Sequence, residues 1–504
     1  MATNIFCDVK SSARAWLLPH PPLIVPGVGN GDEIPSTRAA FERAASEIAE
    51  INPETIIYIT PHSCLYGDYI HISPGTKASG DLRQFRARNV KFSVEYDEEL
   101  AMLIGKLSTA DGLPAGPLGE RDASLDHGVL VPMYFIRNAE AGAGAAKIVR
   151  ISLSGFSLID HYRFGMYIAD AVRKLGRRAV LIASGDMSHR LKEDGPYGFA
   201  PEGPLHDAHV KSCLEASDMR GLLAIEPSVR EGAGECGLAS VVVAAGYLDG
   251  HKVKSEVYSY EGPYGVGYLV AALTGEGEAP SLLPDILADR ESAIARVREA
   301  EDLYVRLARA NVERYVTTGR GMSVNEIDNQ GDRQGEPSTD SATAQGDRTN
   351  EPSANSANAQ GDPPEELFTK RAGVFVSIKK DGELRGCIGT TSPVTDSIAA
   401  EILSNSVSAA ARDPRFDPID ESELDSLTYS VDVLAEAEPI DGPDELDVKR
   451  YGVIVSRGGK RGLLLPDLDG VDTPEQQIDI ARRKGGIGEN EPYTLERFEV
   501  VRHR

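Results

Sequence analysis

Three strand-like runs in the first half of the chain each end in a short polar turn that contains proline or glycine and a histidine. The histidines are His20, His62 and His189, and the runs before them cover residues 15–18, 55–60 and 178–184. Strand-like and helix-like runs alternate from residue 15 to about residue 274, which predicts an α/β domain with a mixed sheet flanked by helices. Ligands of such sheets bind beyond the carboxyl ends of the strands, so we expect the three imidazoles to meet at one edge.

A fourth histidine occurs in a comparable place. His127 stands in the turn Ser124-Leu-Asp-His-Gly128, directly before an apolar run over residues 129–136. A single histidine after a strand is most often part of a turn or packed in a core. Four of the ten histidines in such turns are instead typical of a site for a metal ion or for acid–base chemistry. Asp126 and Asp186, close to two of these histidines, either orient the imidazoles or cap turns.

A divalent ion held by histidines also needs an anionic ligand, and the sequence offers two neighbours, Glu235 and Cys236, before a helix-like run over residues 238–248. Two histidines and a carboxylate with open positions describe a non-haem Fe(II) site that binds a substrate and O₂. A thiolate in that position suits copper(I) or zinc better. Adjacent residues at the start of a helix are not expected to face one ion together, so the choice stays open. Glu235 could instead stabilise the helix N-terminus.

The overall charge excludes some classes of partner. The chain of 504 residues carries 53 Lys and Arg against 78 Asp and Glu, a formal net charge of −25, which disfavours binding of nucleic acid or of anionic membranes. Five cysteines without a Cys-x-x-Cys pair disfavour a disulfide framework. The longest nearly apolar stretch, residues 237–248, is too short to span a bilayer, and the first residues do not resemble a signal peptide. We therefore expect a soluble cytoplasmic protein.

A repeat of 15 residues interrupts the second half of the chain. Copies begin at Gln330 and Gln345, and a third begins at Gln360 and breaks off. Between residues 328 and 362 the sequence has no aromatic residue and, proline aside, no aliphatic residue larger than alanine. A repeat without apolar side chains cannot bury a core, which predicts a disordered insert over residues 322–365.

The segments on either side of the repeat are predicted to fold together. Residues 283–318 carry apolar side chains at helical spacing, and residues 373–389 alternate in the manner of a strand. Asp381-Gly382 between two apolar runs indicates a β-hairpin. The sequence therefore predicts a smaller α+β domain over residues 284–504, with the repeat inserted inside it.

Five short motifs in the first half, taken in order, resemble those of a known family. They are Pro-His-Pro-Pro from residue 19, Thr-Pro-His-Ser from 60, Leu-Asp-His-Gly from 125, Gly-Asp-Met-Ser-His from 185 and Glu-Cys-Gly from 235. Residues 13–275 are similar to the catalytic subunits of the class III extradiol ring-cleavage dioxygenases. They are equally similar to the related Memo proteins.

The two resemblances imply different chemistry. The dioxygenase resemblance implies that His20, His62 and Glu235 hold Fe(II), and that a small aromatic diol of the catechol type is cleaved with O₂. The Memo resemblance implies that His20, His62 and Cys236 bind the metal, with copper or zinc as alternatives to iron, for a redox or modification task without ring cleavage. The residues implied for proton transfer or for orientation are His189, His127 and Asp186.

The second half resembles the AMMECR family. The similarity lies in the loop Leu384-Arg-Gly-Cys-Ile-Gly389 and in the segment Ala409–Phe416. It implies a pocket around this loop, where Arg385 could bind an anion. Cys387 is expected to pack as a small hydrophobic residue rather than to act as a nucleophile, because the only histidine of this half is His503, near the end.

Fusions of two such halves resemble component A of the AmmeMemoRadiSam system. This resemblance implies a radical-SAM protein as a partner, and a homo-oligomer is also compatible with the sequence. Two further histidines, His206 and His209, are three residues apart on a helix-like stretch. We expect them on a solvent-exposed helix face rather than in a metal site.

Overall fold

A computed structural model describes residues 13–29, 32–139, 146–326, 365–468 and 470–504. The chain divides into two compact units, residues 1–289 and residues 290–504. The repeat lies in residues 327–364, outside the described residues. The disordered insert expected over residues 322–365 therefore stays a prediction.

A mixed sheet of six strands organises the first unit. The strands of this unit are β1 (Arg14–Leu18), β2 (Thr55–Thr60), β3 (Ile70–His71), β4 (Lys77–Leu82), β5 (Ala87–Glu95), β6 (Ala115–Gly116), β7 (Lys147–Ser152), β8 (Ala179–Ser184), β9 (His251–Glu261) and β10 (Tyr268–Glu278). The large sheet has the order β7-β2-β8-β1-β10-β9, in which the first four strands are parallel and the last two antiparallel. Two-stranded sheets form between β3 and β6 and between β4 and β5.

Helices flank the large sheet, as the alternating sequence pattern predicts. They are α1 (Pro35–Ile51), α2 (Glu98–Ala110), α3 (His127–Asn138), α4 (Leu158–Leu175), α5 (Glu202–Ala216), α6 (Pro227–Ala233) and α7 (Leu238–Tyr247). Side chains alternate across β1, so that Ala15 and Leu17 join one apolar core while Trp16 and Leu18 join another. Because both faces of the sheet pack on apolar cores, the strands cannot slip relative to one another, and their ends stay in fixed positions. The α/β prediction is confirmed.

The second unit is an α+β domain, which confirms the predicted class. Its strands are β11 (Val374–Lys380), β12 (Glu383–Gly389), β13 (Leu427–Leu434), β14 (Glu438–Ile440), β15 (Tyr451–Arg457), β16 (Lys460–Leu464) and β17 (Thr494–His503). They form an antiparallel sheet of order β12-β11-β13-β17-β15-β16, with β14 also paired to β17. Asp381 and Gly382 have φ angles of 54° and 86° between β11 and β12, which confirms the hairpin.

The helix-like segment before the repeat forms two helices rather than one. They are α8 (Leu283–Ala300) and α9 (Leu303–Thr318), and the helices that follow are α10 (Glu365–Thr369), α11 (Ile398–Ala411) and α12 (Pro474–Lys484). Asp302 separates α8 from α9 because its carboxylate accepts a hydrogen bond from the Val305 backbone N–H and begins a new helix. His503 is ordered in β17, where it pairs with Asp302 and stacks on Tyr304 at 3.9 Å. Among the described helices, none has the length and apolar character needed to cross a membrane.

Candidate metal centre

The strand order brings the predicted histidines to one edge of the sheet. Strands β1 and β2 both pair with β8 in parallel, with Leu18 opposite Ser184 and Ile59 opposite Ala183. All three strands therefore end at the same level. The turns that follow carry His20, His62 and His189 respectively.

His20, His62 and Cys236 form a compact group of ligand atoms. The Nε2 atoms of the two histidines are 2.9 Å apart, and Cys236 Sγ is 3.7 Å from His20 Nε2. All three donor atoms lie within 4.8 Å of one another. Two imidazoles and a thiol at these separations fit a transition-metal ion, because His and Cys are the ligands that zinc and copper prefer.

Two glycines allow Cys236 to reach the strand ends. A Cβ atom on Gly185, directly after β8, would lie 2.2 Å from the Gly237 Cα atom. A Cβ atom on Gly237 would lie 2.8 Å from the backbone oxygen of Asp186. Since no side chain fits in either place, the approach of the two backbones depends on both glycines.

The structure places the carboxylate of Glu235 outside this group, which differs from the ligand set that the dioxygenase resemblance implies. One carboxylate oxygen accepts a hydrogen bond from the Leu238 backbone N–H at 2.7 Å, and the other is 3.3 Å from Arg230 Nε. The carboxylate therefore compensates the free N–H groups and the positive dipole at the start of α7. Of the two neighbours, Cys236 faces the histidines.

Asp186 contacts both His20 and Cys236. Its Oδ1 atom accepts a hydrogen bond from the His20 backbone N–H at 2.8 Å, and its Oδ2 atom is 3.9 Å from His20 Nε2. Its own backbone N–H points to Cys236 Sγ at 3.3 Å. Burial raises the pKa of this carboxyl to about 6, so it is mostly a carboxylate at pH 7 and takes up a proton as the pH falls toward 6.

His127 and His189 contact different members of the group. The His127 ring stacks on His62 with 4.1 Å between centroids, whereas His189 Nε2 is 3.7 Å from Cys236 Sγ. Burial lowers the pKa of His127 to about 3, helped by the neighbouring His20 and His62. His127 is therefore an uncharged imidazole at neutral pH, able to accept a hydrogen bond.

Burial also sets the charge state of the three candidate ligands. It lowers the pKa of His20 well below its ordinary value, with His62 and His189 adding to the effect, and it lowers the pKa of His62. Both imidazoles are thus neutral, as metal ligands must be. Burial and the Asp186 carboxylate raise the pKa of the Cys236 thiol, which must lose its proton when a metal binds.

A polar framework that the sequence did not reveal fixes these side chains. Thr60 Oγ1 donates a hydrogen bond to Asp126 Oδ1 at 2.7 Å and accepts one from the His62 backbone N–H at 3.2 Å. Ser184 Oγ lies 3.0 Å from His20 Nδ1. Each hydroxyl belongs to the last residue of a strand, and that position next to a histidine turn was the signal available in the sequence.

A cleft of about 1270 Å³ opens beside the histidines. Its lining includes His62 and His127, two aromatic rings and several cationic side chains, among them Phe85, Phe92, Lys91 and Arg121. The cleft therefore presents both apolar rings and cationic side chains next to His62 and His127. Such a cleft suits a small organic substrate that reaches the edge of the group.

The C-terminal residues Arg385 and Cys387 lie close together on β12. Both terminal nitrogens and Nε of Arg385 are engaged, since they contact the Glu423 carboxylate at 2.8–3.0 Å and the backbone oxygens of Asp417 and Pro418. Cys387 Sγ accepts a hydrogen bond from Ser377 Oγ at 3.3 Å and is half-buried. These contacts anchor the loop and engage the Arg385 guanidinium, so that anion binding by Arg385 stays a prediction.

His206 and His209 are not on an exposed face, so that prediction is wrong. His206 is fully buried, with Nδ1 2.9 Å from Asp207 Oδ1, and His209 Nε2 is 2.8 Å from the Gly221 backbone oxygen. The reason is that α5 is covered by α6 and β9. Asp207 also accepts a hydrogen bond from the Ser188 backbone N–H at 2.8 Å, so this face supports the turn that carries His189.

Comparison with known proteins gives two family matches. Residues 14–271 match the family described as the catalytic LigB subunit of aromatic ring-opening dioxygenase. Residues 305–503 match the family described as AMMECR1. The first match includes every residue of the candidate centre, namely His20, His62, His127, Asp186, His189 and Cys236.

Individual relatives are similar along most of the chain or along one part of it. Protein CA_C1420 from Clostridium acetobutylicum is 41% identical over 498 residues, covering 97% of this chain and 98% of that protein. A protein from Thermotoga maritima is 51% identical over 143 residues, 28% of this chain and 82% of its own length. The solved structure of uncharacterized protein PH0010 from Pyrococcus horikoshii is 26% identical, covers 40% of this chain and 90% of its own, and has a TM-score of 0.30.

Proposed function

Because the chain belongs to the family of LigB-type dioxygenase-like proteins fused to an AMMECR1 domain, we propose that its N-terminal domain is a metal-dependent oxidoreductase. The ion would be held by His20, His62 and Cys236. The observation that carries this proposal is the meeting of two Nε2 atoms and one Sγ atom within 4.8 Å at the ends of parallel strands. Parallel sheets bind their ligands at this edge.

The donor set favours copper over ferrous iron. Thiolate and imidazole are soft and borderline ligands, which suit copper and zinc, whereas oxygenase iron is typically held by two histidines and a carboxylate. The carboxylate adjacent to Cys236 in the motif, that of Glu235, is engaged with Arg230 and with the start of α7. Zinc has no redox chemistry of its own, so copper agrees better with an oxidative family.

Extradiol cleavage of a catechol-type diol is the second candidate. It is favoured by His127, which lines the cleft beside His62 and is uncharged at neutral pH. An imidazole in that state can accept a hydrogen bond from a substrate hydroxyl and so orient the substrate. This candidate requires iron with a carboxylate ligand, so Glu235 would have to leave Arg230 and the start of α7 to bind it.

The residues around the centre have separate roles in either case. A bound copper ion would supply one-electron redox chemistry. His127 would accept a hydrogen bond from a substrate in the cleft, and Asp186, with its pKa of about 6, would exchange a proton beside His20 near neutral pH. His189, 3.7 Å from Cys236 Sγ, would take up the thiol proton as the ligand forms.

Metal reconstitution of matched variants tests the proposal. The full chain, stripped with a chelator, would be loaded anaerobically with Cu(I), Fe(II) or Zn(II), and bound metal measured by elemental analysis. Wild type and Glu235→Gln should retain about one copper ion per chain, and Cys236→Ser should lose it. Iron that is lost with Glu235→Gln and kept with Cys236→Ser would favour ring cleavage instead, with oxygen uptake on a catechol panel as its direct assay.

A further inference from the structure

The hydroxyl of Ser184 lies between the His20 imidazole and the first turn of α3. Ser184 Oγ is 3.0 Å from His20 Nδ1 and 2.6 Å from the backbone oxygen of Gly128. Ser184 and His20 are both buried, with exposed fractions of 0% and 2%. Water is therefore not available to replace either hydrogen bond.

The hydrogen count at Ser184 settles which atom donates to which. A serine hydroxyl has one hydrogen, and the Gly128 oxygen can only accept, so the hydroxyl donates to Gly128. Ser184 Oγ must then accept the hydrogen bond from His20 Nδ1. A neutral imidazole carries a single ring N–H, so His20 Nε2 is left with a lone pair.

The Gly128 oxygen is available because of the sequence of α3. In a regular helix this oxygen would accept from the backbone N–H four residues later, but that residue is Pro132, which has none. Gly128 is also needed for the close approach, since a Cβ atom there would lie 2.5 Å from Thr60 Oγ1. Proline and glycine in α3 thus create a free acceptor directed at the end of β8.

We infer that Ser184 is a positioning residue that holds His20 in the Nδ1–H tautomer and thereby directs the lone pair of Nε2 toward His62 and Cys236. The assignment of the tautomer concerns the metal-free protein, whereas its consequence for metal binding rests on the proposed function. A ligand histidine whose other nitrogen is fixed by a hydrogen bond binds metal more tightly, and loss of such a partner typically lowers affinity about 10–100-fold.

Counting ring hydrogens in the same way assigns the tautomer of His62. His62 Nε2 is 2.9 Å from His20 Nε2, which carries no hydrogen. His62 must therefore donate from Nε2 in the metal-free protein. If His62 binds the metal through Nε2, its proton moves from Nε2 to Nδ1, while His20 binds without any change of tautomer.

Two measurements on the full chain test this inference. Histidine labelled with ¹⁵N, with His20 assigned through a His20→Gln variant, reports the protonated ring nitrogen by long-range ¹H–¹⁵N NMR. The expected result for the metal-free wild type is a protonated Nδ1. Cu(I) affinity, measured by competition with a chromogenic chelator, should fall about 10–100-fold in Ser184→Ala and recover to within a few-fold in Ser184→Thr, which restores the hydroxyl.

Each outcome separates this inference from the proposed function. A protonated Nε2 on His20 in the wild type would overturn the tautomer assignment, whether or not metal binds. Unchanged Cu(I) affinity in a folded Ser184→Ala variant would overturn the positioning role. If the wild type binds no metal but His20 shows Nδ1–H, the proposed function fails while the tautomer stands. If Ser184→Ala does not fold, the wild-type spectrum still decides the tautomer.

Discussion

His20 and His62 are 42 residues apart in the chain, yet their Nε2 atoms lie 2.9 Å from each other. Strands β1 and β2 are not neighbours in the sheet, and the contact arises because both pair with β8. His20 is buried and His62 is more exposed, yet desolvation lowers the pKa of both imidazoles and of His127, which stacks on His62, so all three are neutral near pH 7. The stability of the metal-free unit should therefore depend on pH.

Replacing His127 by glutamine should weaken this pH dependence. Burial lowers the pKa of His127 from 6.5 to about 3, so its contribution to stability is complete above pH 6.5 and is lost progressively as the pH falls toward 3. Between pH 7 and pH 5 the wild type should lose about 1–2 kcal/mol more than His127→Gln. Urea unfolding of the metal-free chain, followed by fluorescence of the single tryptophan, Trp16 in β1, measures this.

The control for that experiment is His209→Gln, which alters a histidine outside the cluster and should leave the wild-type pH dependence in place. Equal pH dependence in the wild type and in His127→Gln would contradict the role of burial. It would mean that solvent reaches the His127 ring in the folded protein.

Replacing Glu235 by alanine should lower stability without removing the metal. The carboxylate accepts from the Leu238 backbone N–H and pairs with Arg230, so its loss should cost about 1–2 kcal/mol, as for other groups that compensate helix N-termini. Trp16 fluorescence should report the change as an earlier urea transition. Glu231→Ala, which removes an exposed carboxylate nearby, should change stability by less than about 0.5 kcal/mol. Equal stability of the two variants would argue against the capping contact.

The histidine positions could be predicted because they depend on strand ends, which local sequence patterns mark well. Which of Glu235 and Cys236 faces the histidines could not be predicted, because adjacent residues share the same local pattern. That choice is made by the start of α7, where the Leu238 N–H takes the carboxylate and leaves the thiol facing His20. The orientation of Cys236 depends on the close approach of the backbone at Gly185 to the backbone at Gly237, which the sequence pattern does not reveal.

Buried polar partners were the other part that the sequence did not reveal. Ser184 and Thr60 look like ordinary strand residues, and their roles depend on which carbonyl or carboxylate lies opposite them in the fold. The polar helix-like stretch around His206 predicts an exposed helix face. The residue is buried because α5 packs against α6 and β9. Local propensity is a weak guide wherever such packing intervenes.

Replacing Glu423 by glutamine should remove an acid-sensitive contact of the C-terminal unit. The carboxylate pairs with Arg385 at 2.8 Å, and Arg385, Lys380 and backbone hydrogen bonds hold its pKa at about 2 against burial. The Glu423 carboxylate contributes at most about 3 kcal/mol to the free energy of unfolding. This contribution is complete above pH 4.5 and is lost as the pH falls toward 2. The wild type should exceed Glu423→Gln in stability at pH 7, and the two should converge only at about pH 2.

Circular dichroism is the appropriate probe for this unit, because the only tryptophan is in the other one. Glu421→Gln, which alters an exposed carboxylate two residues away, should behave as wild type across the whole pH range. A gap between wild type and Glu423→Gln that does not change from pH 7 to pH 2 would show that the ion pair is not its source.

Replacing Gly386 by alanine should destabilise the C-terminal unit through a steric clash. A Cβ atom at this position in β12 would lie 2.2 Å from the backbone oxygen of Ala409, in the helix α11 that packs on the strand. Because the obstructing atom belongs to the backbone, no side-chain rotation can relieve the contact. The strand and helix must move apart, at a cost of about 1–3 kcal/mol or more.

The matched control is Gly459→Ala, in the turn between β15 and β16, where a Cβ atom would meet no atom within 4 Å. Thermal unfolding by circular dichroism should show a lower transition temperature for Gly386→Ala, whereas Gly459→Ala should stay within about 0.5 kcal/mol of wild type. Equal transitions would mean that α11 can withdraw from β12 without loss. The glycine beside Arg385 and Cys387 would then have to serve the loop itself rather than the packing of helix on sheet.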